Sequence, residues 1–177
     1  MRERSDETLM KAYAKGSIEA FELLYNRHRG PFYRYFLRLA GDTATANDLY
    51  QGSWEKIIKA RETYNPSVPF QPWIYRIAHN HAMDHFRRLK PQSDQLPDTI
   101  ESGDAGPEER LLQAGKTTGL RDAISRLPVE QKETLLLKLD AGLDLQSIAD
   151  ITGVNRETAK SRLRYAVDKL KTELREA

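Results

Sequence analysis

The chain has 177 residues, 39% apolar and 31% charged, long enough for one large or two small helical cores. With no cysteine it has neither disulfides nor thiolate metal sites, and a reducing cytoplasm fits. No apolar run approaches the ~20 residues of a membrane span, and MRERSDETLM lacks a signal-peptide core. The net charge of +2 hides a segregation. Residues 1–90 carry 15 Lys and Arg against 10 Asp and Glu, residues 116–177 carry 12 against 10, and residues 91–115 carry 1 (Arg110) against 6. Two basic lobes around an acidic segment suit a polyanionic partner.

In chain order, Asp6 and Glu7 open a first helix with Leu9, Met10 and Tyr13 on one face, closed by Gly16. Ser17 caps a second, in which Ala20, Phe21, Leu24 and Tyr25 recur at helical spacing. Gly30-Pro31 is read as its punctuation, with a further face of Phe32, Tyr33, Phe36, Leu37 and Ala40 ending at Gly41. Residues 42–62 predict another helix. Its inner side is Ala46, Leu49, Tyr50, Trp54, Ile57 and Ile58, and Gly52 within it costs ~1 kcal/mol relative to alanine. The loop TYNPSVPFQP follows. Pro72 suits the first turn of the next helix, which runs from Trp73 to Arg88 with Ile77, Ala78, His81, Ala82, His85 and Phe86 inward.

From residue 89 to 106 periodicity is lost to Pro, Ser, Asp and Gly. This is the composition of a flexible acidic linker, spanning ~20–25 Å as a coil. A helix resumes at Pro107 (Leu111, Leu112, Leu120, Ile124, Leu127), and Pro128 starts another whose apolar face is Leu135, Leu136 and Leu139. No strand is predicted, so the fold class is all-α.

Residues 144–174 read as a short helix, a tight turn and a longer basic helix. Asp144 caps the first, whose face is Leu145, Ile148, Ala149 and Thr152. Gly153 supplies the left-handed residue that ends it, Val154 plugs the corner and Asn155 caps the second. Ala159, Leu163, Ala166, Val167, Leu170 and Leu174 form that helix's apolar stripe. Opposite lie Glu157, Thr158, Ser161, Arg164 and Tyr165, flanked by Lys160 and Arg162, with Arg156 at the tip. A helix-turn-helix that enters the major groove needs this distribution, because cations find phosphates and guanine edges while short hydroxyls permit close approach. A helical hairpin with a solvated basic face is the alternative.

Two blocks carry a resemblance. LP-VEQKETLLLKLDAGLDLQSIADITGVNRETAKSRLRYAVDKL resembles region 4 of sigma-70 family factors, through Gly153-Val154, Thr158 and Lys160-Ser161-Arg162-Leu163. ANDLYQGSWEKI followed by PFQPWIYRIAHNHAMDHFRR resembles region 2. The two-lobed layout is similar to the extracytoplasmic-function subfamily. It implies a region 2 helical bundle at 1–90, a linker at 91–106 and a region 4 helix-turn-helix domain at 107–177.

The resemblance further implies a transcription initiation factor whose partners are core RNA polymerase, promoter DNA and an anti-sigma factor. Minus-35 candidates are Arg156, Glu157, Thr158, Lys160, Ser161, Arg162 and Arg164. Minus-10 candidates are Tyr64 and Phe70 in the loop, then Arg76, His79, Asn80, Asp84, Arg87 and Arg88. A base leaving the stack needs such a pocket of amide, aromatic and loop backbone. Asp48, Leu49, Gln51 and Trp54 match the helix that docks on the polymerase clamp. Where the family commonly has Glu this chain has Asn47 and Gly52, two carboxylates fewer on that face; Ala159 stands where valine is usual. The location implied is cytoplasmic, with the inner membrane as the place where an anti-sigma factor can hold the protein. No catalytic residue, cofactor, metal or small-molecule substrate is expected.

Other classes fit single features. His81 and His85, spaced i, i+4 near His79 and Asp84, invite a metal site or a nuclease, but no HExxH is present. A ligand-binding or dimerising repressor would place palindromic half-sites under the helix-turn-helix.

Overall fold

A computed structural model describes residues 3–89 and 116–176. The predicted linker and the helix from Pro107 with Leu111 and Leu112 lie outside the described residues. Four helices precede the gap: α1 (Asp6–Ala14), α2 (Ile18–Ala40), α3 (Thr43–Lys59) and α4 (Phe70–Leu89), with a 3₁₀ turn at Arg61–Thr63. Four follow it: α5 (Lys116–Ser125), α6 (Val129–Leu139), α7 (Leu145–Thr152) and α8 (Arg156–Glu176). Among the described residues there is no strand, and no helix is long and apolar enough to cross a membrane.

Most helix starts obey local chemistry. Ser5, Ser17 and Asp42 each accept a hydrogen bond from the backbone N–H three residues on, at 3.2, 3.2 and 2.7 Å, which satisfies donors that have no partner inside the helix. Gly41 ends α2 in the left-handed conformation at φ 82°.

Gly30-Pro31 does not break the chain. One helix runs from Ile18 to Ala40 with Pro31 inside it, although proline removes a hydrogen bond and costs ~3 kcal/mol in a helix interior. The override is tertiary. Ala20, Leu24, His28, Phe32, Tyr35, Phe36 and Leu39 form one stripe through the proline, and all are buried. Four of them are large rings or leucine sealed from solvent on the C-terminal side of Pro31 (Phe32, Tyr35, Phe36, Leu39), a burial of several kcal/mol by area. His28 belongs to this stripe; its Nε2 lies 2.8 Å from Asp6 Oδ2, tying α1 to α2, with Arg27 on the other oxygen at 2.7 Å. In the next helix, α4 starts at Phe70 rather than Trp73, because Glu7 of α1 accepts the Phe70 N–H at 3.0 Å and supplies a cap from across the bundle.

The first four helices share an aromatic core. Phe32 meets Phe36, Trp54 and Tyr75 edge-on at 5.0, 5.3 and 5.3 Å between centroids. In the second group, α7 and α8 form the helix-turn-helix and pack with α6, and α5 packs on α8. The predicted face of α6 needs correction. Leu135 and Leu136 are buried, but Leu139 is 61% exposed and Leu137 is buried in its place.

The reason is that α6 is covered on two sides. It packs on α8 and α7 within its own group and on α2 of the first. The six consecutive residues Lys132 to Leu137 are all buried. The two groups also meet where α4 packs on α7 and where α2 packs on α5.

Candidate nucleic-acid interface

The helix-turn-helix forms where local chemistry places it. Asp144 accepts the Ser147 N–H at 2.8 Å, and that bond, first among the causes, holds the Asp144 carboxyl below its ordinary range. Gly153 takes φ 73°, a conformation that costs glycine nothing and an L side chain much more. Asn155 accepts the Thr158 N–H at 2.8 Å. Ile148, Ala149 and Ile151 on α7, with Ala159, Ala166 and Leu170 on α8, are buried. That burial fixes which face of α8 turns outward.

On that outward face Arg156, Glu157, Lys160, Arg164 and Tyr165 are exposed, and Thr158, Ser161 and Arg162 are half-buried. Among the described residues none of these four cations forms an ion pair. The Arg164 guanidinium lies over the Tyr165 ring at 5.3 Å, a cation–π contact that extends and orients it. A helix with uncommitted cations and two short hydroxyls near its N-terminus is chemically ready for phosphates and base edges.

The second basic surface lies along α4 and the loop before it. Arg76, Asn80, Asp84, Arg87 and Arg88 are exposed, with Arg87 paired to Asp84 at 2.6 Å. Both members of that pair are more than half exposed, so solvent screens it and Arg87 remains available. The exposed loop tip, Asn65 to Pro69, is held from below. Tyr64 donates to the Val68 carbonyl, and its ring packs on Phe70 and Trp73 at 6.1 and 4.8 Å. Asn65 Oδ1 accepts from the Ser67 N–H and hydroxyl at 3.0 and 2.8 Å.

Four expected contact residues prove to be core. Tyr64 and Phe70 are buried, so they shape the loop and leave its surface to Asn65–Pro69. Leu49 and Trp54 are buried as well; Trp54 lies among Tyr25, Phe32 and Phe21 with centroids at 5.1, 5.3 and 6.0 Å. The resemblance grouped them with Asp48 and Gln51, whereas helical spacing places them on the inner side of α3, where they are buried. Asp48, Gln51 and Glu55 remain as the exposed face of α3. Asn47, beside them, accepts the Tyr33 hydroxyl at 2.9 Å.

His79 is also diverted. Half-buried, its Nδ1 lies 2.5 Å from Glu133 Oε1 on α6, a contact no local pattern reveals.

Gly52 has a positional reason. A Cβ at this glycine would overlap the His81 imidazole of α4, so α3 can carry only glycine here while the ring occupies the space. His81 and His85 line a cavity of about 120 Å³ with Lys56, Asp84 and Arg88. Burial, then the charges of Lys56 and His85, hold the His81 imidazole below the ordinary 6.5, against the opposite pull of Asp84. A cavity walled by Lys56 and Arg88 repels a metal cation, and among the described residues no cluster of three or more potential ligands is present.

Two family models match the chain. Sigma-70 region 2 matches residues 24–92, and Sigma-70, region 4 matches residues 118–170. The RNA polymerase sigma factor SigV of Bacillus subtilis is 31% identical over 83% of this chain and 86% of its own length. The ECF RNA polymerase sigma factor BldN of Streptomyces coelicolor is 30% identical over 89% of this chain and 61% of its own. The Bartonella quintana sigma factor RpoE, solved in complex with the anti-sigma factor NepR, has a similar fold, with a TM-score of 0.70 at 18% identity, covering 89% of this chain and 98% of that one.

Proposed function

The chain belongs to the extracytoplasmic-function branch of the sigma-70 family, and from that premise we propose which of its surfaces read the promoter and which meets the polymerase. It is a transcription initiation factor, not an enzyme, and directs core RNA polymerase to promoters. The minus-35 duplex is read by α8 through Arg156, Glu157, Thr158, Lys160, Ser161, Arg162 and Arg164. The carrying observation is the uncommitted basic face at the start of a helix whose turn and caps are fully formed.

The minus-10 element is recognised and opened by α4 and its loop. Arg76, Arg87 and Arg88 hold phosphates, Asn80 offers an amide to a base edge, and His79 joins them when Glu133 releases it. Asp84 orients Arg87. The polymerase clamp meets α3 through Asp48 and Gln51, with Leu49 and Trp54 supporting that surface from the core. These roles fit a division of the chain into a region 2 domain at 1–90, a linker at 91–106 and a region 4 domain at 107–177.

Anti-sigma control and a cytoplasmic location, with tethering to the inner membrane through the anti-sigma factor, complete the reading. It is supported by the similar fold of the Bartonella factor, itself solved with an anti-sigma factor. The test is reconstituted run-off transcription with core polymerase on genomic fragments. Discrete transcripts that require this protein are expected. No specific transcript at any promoter tried, or DNA cleavage without polymerase, would overturn it.

A further inference from the structure

Helix α6 carries charged residues where a helix packed on both sides normally carries none. Lys132, Glu133 and Thr134 are buried, and burying a carboxylate is costly unless donors meet it. Thr134 is satisfied within its own helix, donating to the Glu130 carbonyl at 2.8 Å. Glu133 is not. Both hydrogen bonds to its carboxylate come from the other lobe, from the Tyr35 hydroxyl of α2 at 2.9 Å and from His79 Nδ1 of α4 at 2.5 Å. At the residue that caps the helix end, Asp140 (side chain 5% exposed) repeats the arrangement: its Oδ1 accepts from Arg38 of α2 at 3.0 Å.

The surface covered by this docking is specific. The cleft where the lobes meet is lined by Val68, Pro69, Pro72, Trp73 and Arg76 on one side and by Ser147, Asp150 and Ile151 of α7 on the other. The loop tip, Arg76 and His79 therefore face the helix-turn-helix domain. The reading face of α8 does not: Arg156, Lys160 and Arg164 stay exposed.

We propose that the two lobes form a self-closed state, latched by Glu133 onto Tyr35 and His79 and by Asp140 onto Arg38, in which His79 is held and the loop and first turns of α4 stand across a narrow cleft from α7, while Asn80, Asp84, Arg87, Arg88 and the minus-35 face stay open. The occupant opposite the loop and the start of α4 is this chain's own helix-turn-helix domain. Buried ion pairs contribute little net stability but break sharply when one partner is lost, so such a latch favours one geometry and still opens. Closure constrains one end of the second surface: α8 can engage duplex while the lobes are docked, and a strand can enter between the loop, Arg76 and His79 only after the carboxylates return to water. The inference rests on the promoter-reading assignment for what is covered, but the closed state itself does not.

The chain lacks cysteine, so Glu22→Cys with Lys171→Cys gives one spin-label pair reporting on both lobes of the full-length protein. A single short distance is expected for the free protein. Arg38→Asp should lower the closed population about tenfold, and Arg38→Asp with Asp140→Arg should restore it. Glu133→Gln, which keeps shape and removes charge, should weaken closure without changing the helical content seen by circular dichroism. Diethyl pyrocarbonate modification of His79, followed by mass spectrometry, should quicken with Arg38→Asp and slow again in the charge swap. A distance distribution indifferent to Arg38→Asp, or not restored by the swap, overturns the latch. An opened variant with unchanged His79 modification overturns the sequestering of His79. Both arms hold or fail without polymerase, so they are independent of the run-off assay.

Discussion

The α7–α8 surface and the α4 surface are both basic and helical, yet they are specified in opposite ways. The first is built from neighbours in sequence. Asp144, Gly153 and Asn155 each act within three or four residues, and the face they orient stands clear of the rest of the chain. The second depends on partners far along the chain: Glu7 caps its start, Gly52 admits His81, and Glu133 holds His79. A surface made of local signals can work while its lobe is docked. One made of long-range contacts can be regulated through any of them.

The largest expected effect breaks the distant kind of specification. Gly52→Ala should destabilise the first lobe by roughly 2 kcal/mol despite alanine's better helix propensity, because it overpacks against the His81 ring. Adding His81→Ala should recover most of the loss, as measured by thermal melts of the four variants. Additive losses would show that the ring is not what excludes a side chain there.

Next comes the division of labour. Asn80→Ala should reduce promoter opening on the order of tenfold while sparing duplex binding; normal permanganate reactivity of minus-10 thymines in the mutant would remove Asn80 from that role. Arg164→Ala should do the reverse, weakening duplex binding severalfold and reducing the salt slope by about one. Fluorescence anisotropy across a salt series checks it, and an unchanged slope would end the assignment.

The cap is a smaller lever. Asn155→Ala should cost about 1 kcal/mol in the second lobe, visible as a lower melting temperature, with no change in the first.

The smallest effect is a pH dependence. Because His81 binds its proton less tightly folded than unfolded, stability should be full above the ordinary imidazole value and fall as the solution is acidified below it. His81→Gln should flatten that slope in melts between about pH 7 and about pH 5. An equal slope in wild type and variant would assign it to other groups.

What was legible in the sequence follows the same divide. Helix caps, the left-handed glycine of the turn and the inward stripe of α8 depend on few residues close together, and spacing alone places them. The interruption expected at Gly30-Pro31 failed because a continuous buried stripe outweighs one proline, and only the bundle supplies that burial. Leu139 was placed inward because nothing local says that α2 will cover the other side of α6. Spacing alone put Leu49 and Trp54 inward, while Tyr64 and Phe70, in a loop without periodicity, have residue types that suit both a core and an interface. The aromatic neighbours that decide between them come from other helices. His28 left no pattern beyond its place in the α2 stripe, and its partner Asp6 lies 22 positions earlier.

The contact between Gly52 and His81 sets a rule for exchanging parts between relatives. Helix α3 has no room for a carboxylate at position 52 while its neighbour carries an imidazole at 81, so neither helix is a portable module. A chimaera that borrows α3 with a glutamate at this position must displace the His81 ring or borrow α4 with it. The two positions then change together, and any surface charge gained on α3 is tied to a change in the cavity beside α4.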